Sequence, residues 1–324
     1  VLSQSNGMLA PWMINRGDNR FLTYIDTTSG GTGIASAEFH RVLGAGALSS
    51  TSASSNEKVF FNGAQTFTTA ATNVSVYAAR IDGNITGSTN TLTIGSGGVI
   101  SAAASTITST LLMNDGSANV EGIIYNTANF VLGAAAGGAD GQIVTNGNLT
   151  KFGAGTLFIQ SSQATQINNL QVNGGNVELR SLTALGPAVG NLILANAGSG
   201  ATISTTTGGG GTVNIALRIA RDVPVVSLTN TILSGAAVTN TIGGGLIFEG
   251  SPHAQGQTLL VNQTLSTNVL NINGTTSLGD NPNVFILNQG TMTLSGRVVG
   301  GGAGALGGAL TYTGGGVLQI SNTD

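Results

Sequence analysis

The chain has 324 residues, 51 of them glycine, with 40% apolar residues, 7% charged residues, no cysteine and a formal net charge of −3. Ordinary soluble domains carry about 7% Gly and about 25% charged residues. The hydrophobicity excludes a disordered, highly charged chain, and five prolines with no Gly-X-Y period exclude collagen. Ten basic residues are too few to neutralise the phosphates of a nucleic-acid partner. The charge-free stretch Ser181 to Leu217 is broken by Gly, Ser, Thr and Asn, so it supplies no membrane span of ~18 apolar residues. The absence of cysteine fits a chain that crosses an envelope unfolded without being trapped by oxidation. Neither a signal peptide nor an initiator Met stands at Val1, so a processed chain or a piece of a longer one is expected.

Taken in chain order, the predicted elements are short period-two runs punctuated by Gly and Asn. Thr91-Leu92-Thr93-Ile94 alternates polar and apolar residues, as do Leu170-Gln171-Val172 and Val177-Glu178-Leu179-Arg180, which Gly174-Gly175 separates. The same alternation marks Asn191 to Ala195, Val269-Leu270-Asn271-Ile272 and Met292-Thr293-Leu294-Ser295, while Val284 to Leu287 is a continuous apolar run. Periodicity, length and flanking turn residues make all of these strands. No sustained 3.6-residue period with an N-cap predicts a helix.

The same texture continues from about Asn56 to Asp324 with no linker composition and with small residues at every corner. This predicts an all-β chain folded as a right-handed parallel β-helix (a β-solenoid) over residues 56–324, with Gly/Asn/Ser/Thr-rich turns. Residues 1–55 are an atypical segment, packed on the solenoid or continuous with it. Coils of about 20–25 residues, stacked at the ~4.8 Å strand spacing, would make roughly 13–16 turns and a rod on the order of 60–75 Å long. Low charge suits such a stack, because like charges at that spacing repel.

A repeat supports the solenoid. Residues 147–159 (GNLTKFGAGTLFI) align with residues 308–320 (GALTYTGGGVLQI). Gly147, Leu149, Gly153, Gly155, Leu157 and Ile159 coincide with Gly308, Leu310, Gly314, Gly316, Leu318 and Ile320, 161 positions on. With Val172, Gly174 and Leu179 in the following strand pair, and Ala184-Leu185-Gly186 closing residues 147–186, the pattern resembles the autotransporter-associated β-strand repeat, or passenger-associated transport repeat. The usual Tyr-Thr-Gly is missing between the two parts, and the second copy has Tyr312 for Lys and Val317 for Thr. Residues Gly7 to Arg41, with Met8-Leu9-Ala10-Pro11-Trp12 ahead of Phe21-Leu22-Thr23-Tyr24, are similar to segments between such repeats in very long surface proteins. The resemblance implies a secreted or bacterial cell-surface parallel β-helix.

Residues that could carry chemistry are sparse. Polysaccharide-cleaving β-helices gather several acids on one face, and glycoside hydrolysis needs a carboxylate pair ~5–10 Å apart. The thirteen carboxylates here are dispersed along the chain. The closest cluster, Arg218, Arg221 and Asp222, reads as a solvated turn ion pair. His40 and His253 lie far apart with no cysteine, so no zinc site is expected. Gly137-Gly138-Ala139-Asp140-Gly141 lacks the third glycine of a calcium nonapeptide. Gly302 to Gly307 matches G-x-G-x-x-G but precedes a strand repeat rather than a helix, so it reads as coincidence. Asn-x-Ser/Thr sequons at Asn73, Asn84, Asn148, Asn262 and Asn273 read as part of a polar surface. Trp12 and Phe21 are expected in a local core. The tripeptide Arg16-Gly17-Asp18, which many integrins read on an exposed loop, is kept as an adhesion candidate beside its reading as a polar turn.

The expected function is structural: an extracellular solenoid segment of a bacterial surface fibre, filament or passenger-type adhesin, without catalysis, cofactor or metal. Its expected partner is itself, by end-to-end or lateral assembly, or further coils of a longer chain, since a repeat half complete at Ile320 looks uncapped. An adhesin binding glycans or a host receptor on a cell surface through exposed loops is the second expectation. A β-helix polysaccharide lyase or hydrolase, with at least three acids or arginines converging on one face, is the third.

Overall fold

A computed structural model describes residues 5–6, 8–25, 33–70, 72–136, 138–162, 167–205, 210–221, 223–232, 237–249, 256–280, 282–300 and 308–321. Among them the chain forms 36 strands and no helix. The parallel β-solenoid is present as expected, in long stacks of parallel strands. The chain divides into two compact units, Val1–Ala134 with Asp140–Thr150 and Ala135–Ala139 with Lys151–Asp324.

In the first unit each coil contributes up to three strands, one to each of three parallel sheets. One sheet stacks Arg41–Leu43, Lys58–Phe61, Ala78–Ile81, Gly98–Ser101 and Gly122–Asn126. A second stacks Gly46–Leu48, Gln65–Phe67, Ile85–Thr86, Ser105–Ile107 and Phe130–Leu132. The third stacks Asn73–Val76, Thr91–Ile94, Thr110–Met113 and Ile143–Val144. Strand alternation sends every second side chain inward, so like residues form rows along the stack. Val74, Leu92 and Leu111 are one such row, and Val76, Ile94 and Met113 another, all fully buried. Parallel stacking thus begins at Arg41, inside the segment that the sequence sets apart.

The outward row of the first sheet runs Phe60, Arg80, Ile100, Tyr125. Ile100 and Tyr125 are nevertheless buried. The cover is the N-terminal segment, a three-stranded antiparallel sheet of Ile14–Asn15, Arg20–Ile25 and Gly33–Ser36. It packs so close that a Cβ on Gly98 would stand 2.8 Å from Pro11 Cβ and 3.0 Å from Phe21 Cε1. Lys58, almost fully buried, donates to the Asn6 carbonyl at 2.9 Å, and Arg80 donates to the Asp18 carbonyl at 3.0 Å.

The second unit is built on the same plan. One sheet runs from Asn169–Val172 through Gly190–Leu194, Ile215–Ile219 and Leu246–Phe248 to Val298–Val299. A second runs from Thr156–Ile159 through Asn176–Leu179, Gly200–Thr205, Val225–Ile232, Thr258–Gln263 and Asn283–Leu287 to Leu310–Gly314. Among the described residues the third begins at Thr212–Val213 and continues through Thr239–Ile242, Val269–Ile272 and Thr291–Leu294 to Val317–Ile320. An inward row of the second sheet changes chemistry along its length, from Ile159, Leu179 and Ile203 to Asn230 and Gln263. There Asn230 Nδ2 donates to Gln263 Oε1 at 2.6 Å and Asn240 Nδ2 to Asn230 Oδ1 at 2.7 Å, which satisfies amides that burial would otherwise penalise.

Coil length varies more than the expected 20–25 residues: Arg41 pairs with Val59, 18 residues on, and Val226 with Leu259, 33 on. The stack fixes the strands, while corners sit outside the ladder and accept insertions. The two repeat copies also do not occupy equivalent places in their coils. In the second unit, the second strand of the first copy, Thr156–Ile159, and the first strand of the second copy, Leu310–Gly314, belong to one sheet. Val317–Ile320 belongs to the third sheet. The motif therefore encodes a strand–corner–strand unit, whichever two faces the corner joins.

Candidate functional site

The repeat corner is built around Lys151. In Asn148–Phe152 the alternation buries Leu149 and Lys151, both fully inaccessible. The Lys151 ammonium donates to three carbonyl oxygens, Gly153 at 2.7 Å, Gly155 at 2.6 Å and Gly174 at 2.6 Å. Three N–H donors meet three acceptors, two from its own corner and one from the next coil. Burial pulls the Lys151 pKa down from 10.5 to about 8, so the amine is still charged at neutral pH. Glycine is required at the contact: Gly175 has φ +63°, and a Cβ there would lie 2.5 Å from Gly153 O, Gly155 O and Lys151 Nζ.

The following strand pair lies directly on the first. Leu157 pairs with Val177 and Ile159 with Leu179, all buried, while Val172 is buried in the neighbouring sheet. In the second copy Tyr312 occupies the lysine position, and its hydroxyl donates to the Gly316 carbonyl, four residues on. Lys151 spans the same four residues to Gly155. What reads in the sequence as a degenerate position keeps the hydrogen bond that closes the corner. Leu318 is half-buried, whereas Val317 and Ile320 are 58% and 55% exposed.

Arg16, Gly17 and Asp18 form the exposed tip of a hairpin closed by the Asn15–Arg20 pair. Asn15 Oδ1 accepts from the Gly17 amide at 2.9 Å, and Asn19 takes the left-handed φ of 54° that Asn tolerates. Arg80 anchors the base through the Asp18 and Asn19 carbonyls at 3.0 and 3.4 Å. The Asp18 carboxylate lies 3.9 Å from Arg20 Nε, and Arg20 bonds Glu38 at 2.6 Å. The two aromatic residues near the tip separate: Phe21 is buried as expected, but Trp12 is 62% exposed rather than packed in a core.

Four of the described carboxylates are each matched singly to an arginine. Arg41 pairs with Glu57, Arg80 with Asp82, Arg180 with Glu178 and Arg218 with Glu249. Arg218 thus bonds a residue 31 positions on, in the neighbouring coil. Arg80 and Arg180 also lie over Phe60 and Phe158, at 4.5 and 4.4 Å from the ring centroids. Glu121 accepts from the Thr150 hydroxyl at 2.6 Å. His40 accepts from the Lys58 amide at 2.9 Å, and burial lowers its pKa. Among the described residues no three His, Asp or Glu side chains gather to hold a metal ion. His253, Asp222, Asp26, Asp324, Gly137 and Gly302–Gly307 lie outside the described residues.

Sequence reasoning passed over Lys151 and Lys58. For Lys151 a signal was present, since it occupies a core-facing position in the alternation that begins at Leu149. Comparison of the chain with protein-family models, with curated proteins and with solved structures finds no match in any of the three.

Proposed function

We propose that this chain is a structural β-solenoid segment of an extracellular bacterial surface fibre or passenger-type adhesin, acting by being long, cohesive and chemically quiet rather than by catalysis. The observation that carries this reading is the stack of seven parallel strands from Thr156–Ile159 to Leu310–Gly314 in the second unit, closed at a repeat corner by Lys151. Such a stack gains cohesion from every added coil. The resemblance of residues 147–186 to the autotransporter-associated repeat, the absence of cysteine and the low charge support an extracellular setting. Its partners would be more coils of the same kind, in the same polypeptide or in a second copy. The strand Val317–Ile320, paired with Thr291–Leu294, would offer its other edge to such a coil.

Electron microscopy of the purified chain tests this. Concentration-dependent end-to-end filaments, lost on Val317→Lys with Ile320→Lys, are expected. Compact particles that stay monomeric at high concentration would overturn self-assembly through that edge.

A second reading, adhesion, is favoured by the exposed Arg16-Gly17-Asp18 tip beside exposed Trp12. It predicts cell attachment that requires divalent cations and is lost in Asp18→Glu. Attachment indifferent to that change would remove the tripeptide from consideration.

A further inference from the structure

The first unit carries a cleft of about 410 Å³ that no part of the structural role uses. Four coils build its walls, including Asn56, Ser75, Tyr77, Thr93 and Asp115. The volume lies within the range of small-molecule sites, about 300–1,000 Å³.

Its chemistry is specific. Tyr77 supplies an aromatic surface, half-buried and held by its backbone amide on the Glu57 carbonyl at 2.8 Å. The next coil crosses beside it as Gly95, whose position leaves the ring uncovered: a Cβ there would sit 3.7 Å from Tyr77 Cδ2. Ser75 and Thr93 are register partners on adjacent strands, so their hydroxyls stand roughly 4.8 Å apart on one wall. Neither hydroxyl, nor the Asn56 side-chain amide, bonds within the chain among the described residues, so all three can serve a ligand. The opposite rim is a rigid turn. Asn114 bonds Asn119 and the Gly116 amide, and Asp115 Oδ1 accepts from the amides of Ser117 and Ala118 at 2.8 and 2.9 Å. Those amides hold the Asp115 carboxyl ionised, and Oδ2 remains an acceptor.

We propose that this cleft binds a neutral saccharide. The Tyr77 ring takes the C–H face of one pyranose, while Ser75, Thr93, Asn56 and Asp115 exchange hydrogen bonds with its hydroxyls. Among the described residues Asp115 is the one charged residue lining the cleft, which disfavours phosphorylated or acidic ligands. A polyol needs mixed donors and acceptors around an apolar plate, and that is the set present. Saccharide binding and fibre formation are independent, so filaments without sugar binding, or the reverse, would separate the two.

The test is saturation-transfer NMR and calorimetry on the whole chain with glucose, galactose, N-acetylglucosamine, lactose and cellobiose. Saturable binding of at least one sugar is expected, weakened tenfold or more in both Tyr77→Ala and Gly95→Leu. Gly95→Leu fills the cleft with little strain, because its Cβ would meet neighbours at 3.5 to 3.7 Å, ordinary contact distances. An unchanged circular dichroism spectrum shows that each variant has folded. No binding of any of these sugars, binding retained in both variants, or binding lost instead in Trp12→Ala would overturn the proposal.

Discussion

Lys151 donates from Nζ to the carbonyl oxygen of Gly174, 23 residues ahead, at 2.6 Å. One buried ammonium thereby ties two successive coils at the corner where side chains are fewest. Replacing it with methionine preserves length and apolar stem but leaves the Gly153 and Gly174 carbonyls without their donor, while Gly155 keeps only the Asn176 amide at 3.3 Å. An unsatisfied buried polar group costs about 1–3 kcal/mol, so Lys151→Met should destabilise the second unit by roughly 3–5 kcal/mol. Urea unfolding followed by circular dichroism checks this, and a loss below about 1 kcal/mol would show the contacts to be incidental.

The same ammonium makes stability depend on pH. Its pKa falls from 10.5 to about 8 on folding, because burial disfavours the charge. Between those values the unfolded chain binds more protons than the folded one, so stability rises with pH. The penalty is complete below about pH 8 and is relieved as pH approaches 10.5, by at most roughly 3 kcal/mol. Other groups titrate there too, so the measurement is the difference in unfolding free energy between the native chain and Lys151→Met. That difference should widen from pH 8 to 10.5, and a flat or narrowing one contradicts the assignment.

Two adjacent glycines should behave differently. A Cβ on Gly175 meets two carbonyl oxygens and Lys151 Nζ at 2.5 Å in a backbone of φ +63°, whereas one on Gly174 finds its nearest neighbour at 3.6 Å. Gly175→Ala should therefore cost at least about 2 kcal/mol and Gly174→Ala less than about 1 kcal/mol. Equal losses would mean that the corner relaxes freely.

Much of this architecture is legible in the sequence because period-two alternation survives in every coil. Val269–Ile272 emerges residue for residue, and Asn283–Leu287 contains the apolar run from Val284. What stays hidden depends on pairing between coils. Lys151 holds a core-facing position with no visible acceptor until Gly174 is known to lie beside it, and Tyr312 reads as a lapse in the motif until its bond to Gly316 is seen. The bond from Arg218 to Glu249, 31 residues on, is visible only once the next coil is laid beside it. The cleft around Tyr77 is illegible for the same reason: its walls come from separate coils of unequal length, so no fixed spacing announces it.

The amide row in the second unit predicts a further large effect. Asn230 is fully buried, donates to Gln263 and accepts from Asn240. Asn230→Ala removes both bonds, together with one to the Val269 carbonyl at 3.1 Å, and leaves a small void, so a loss of roughly 2–4 kcal/mol is expected. Ser227→Ala, on the same strand, is the control. Comparable unfolding midpoints for the two variants would argue that the amide row adds no stability.

The N-terminal cover offers the last prediction, because Gly98 lets it close. A valine there would force its Cβ to within 2.8 Å of Pro11 and 3.0 Å of Phe21, so the covering segment has to shift. Overpacking of this kind costs typically 1–3 kcal/mol, which for a locally opening segment means roughly a tenfold or greater rise in the open population. Arg16 is exposed at the hairpin tip and Trp12 is the only tryptophan in the chain. Gly98→Val should therefore speed tryptic cleavage at Arg16 and Arg20, lower the fluorescence anisotropy of Trp12, and increase dye binding as Ile100 and Tyr125 are uncovered. The strand signal in circular dichroism should persist, since the solenoid beneath the cover is held by its own ladders. Unchanged proteolysis and anisotropy would mean that the segment accommodates the side chain and that the close approach at Gly98 does not hold the cover in place.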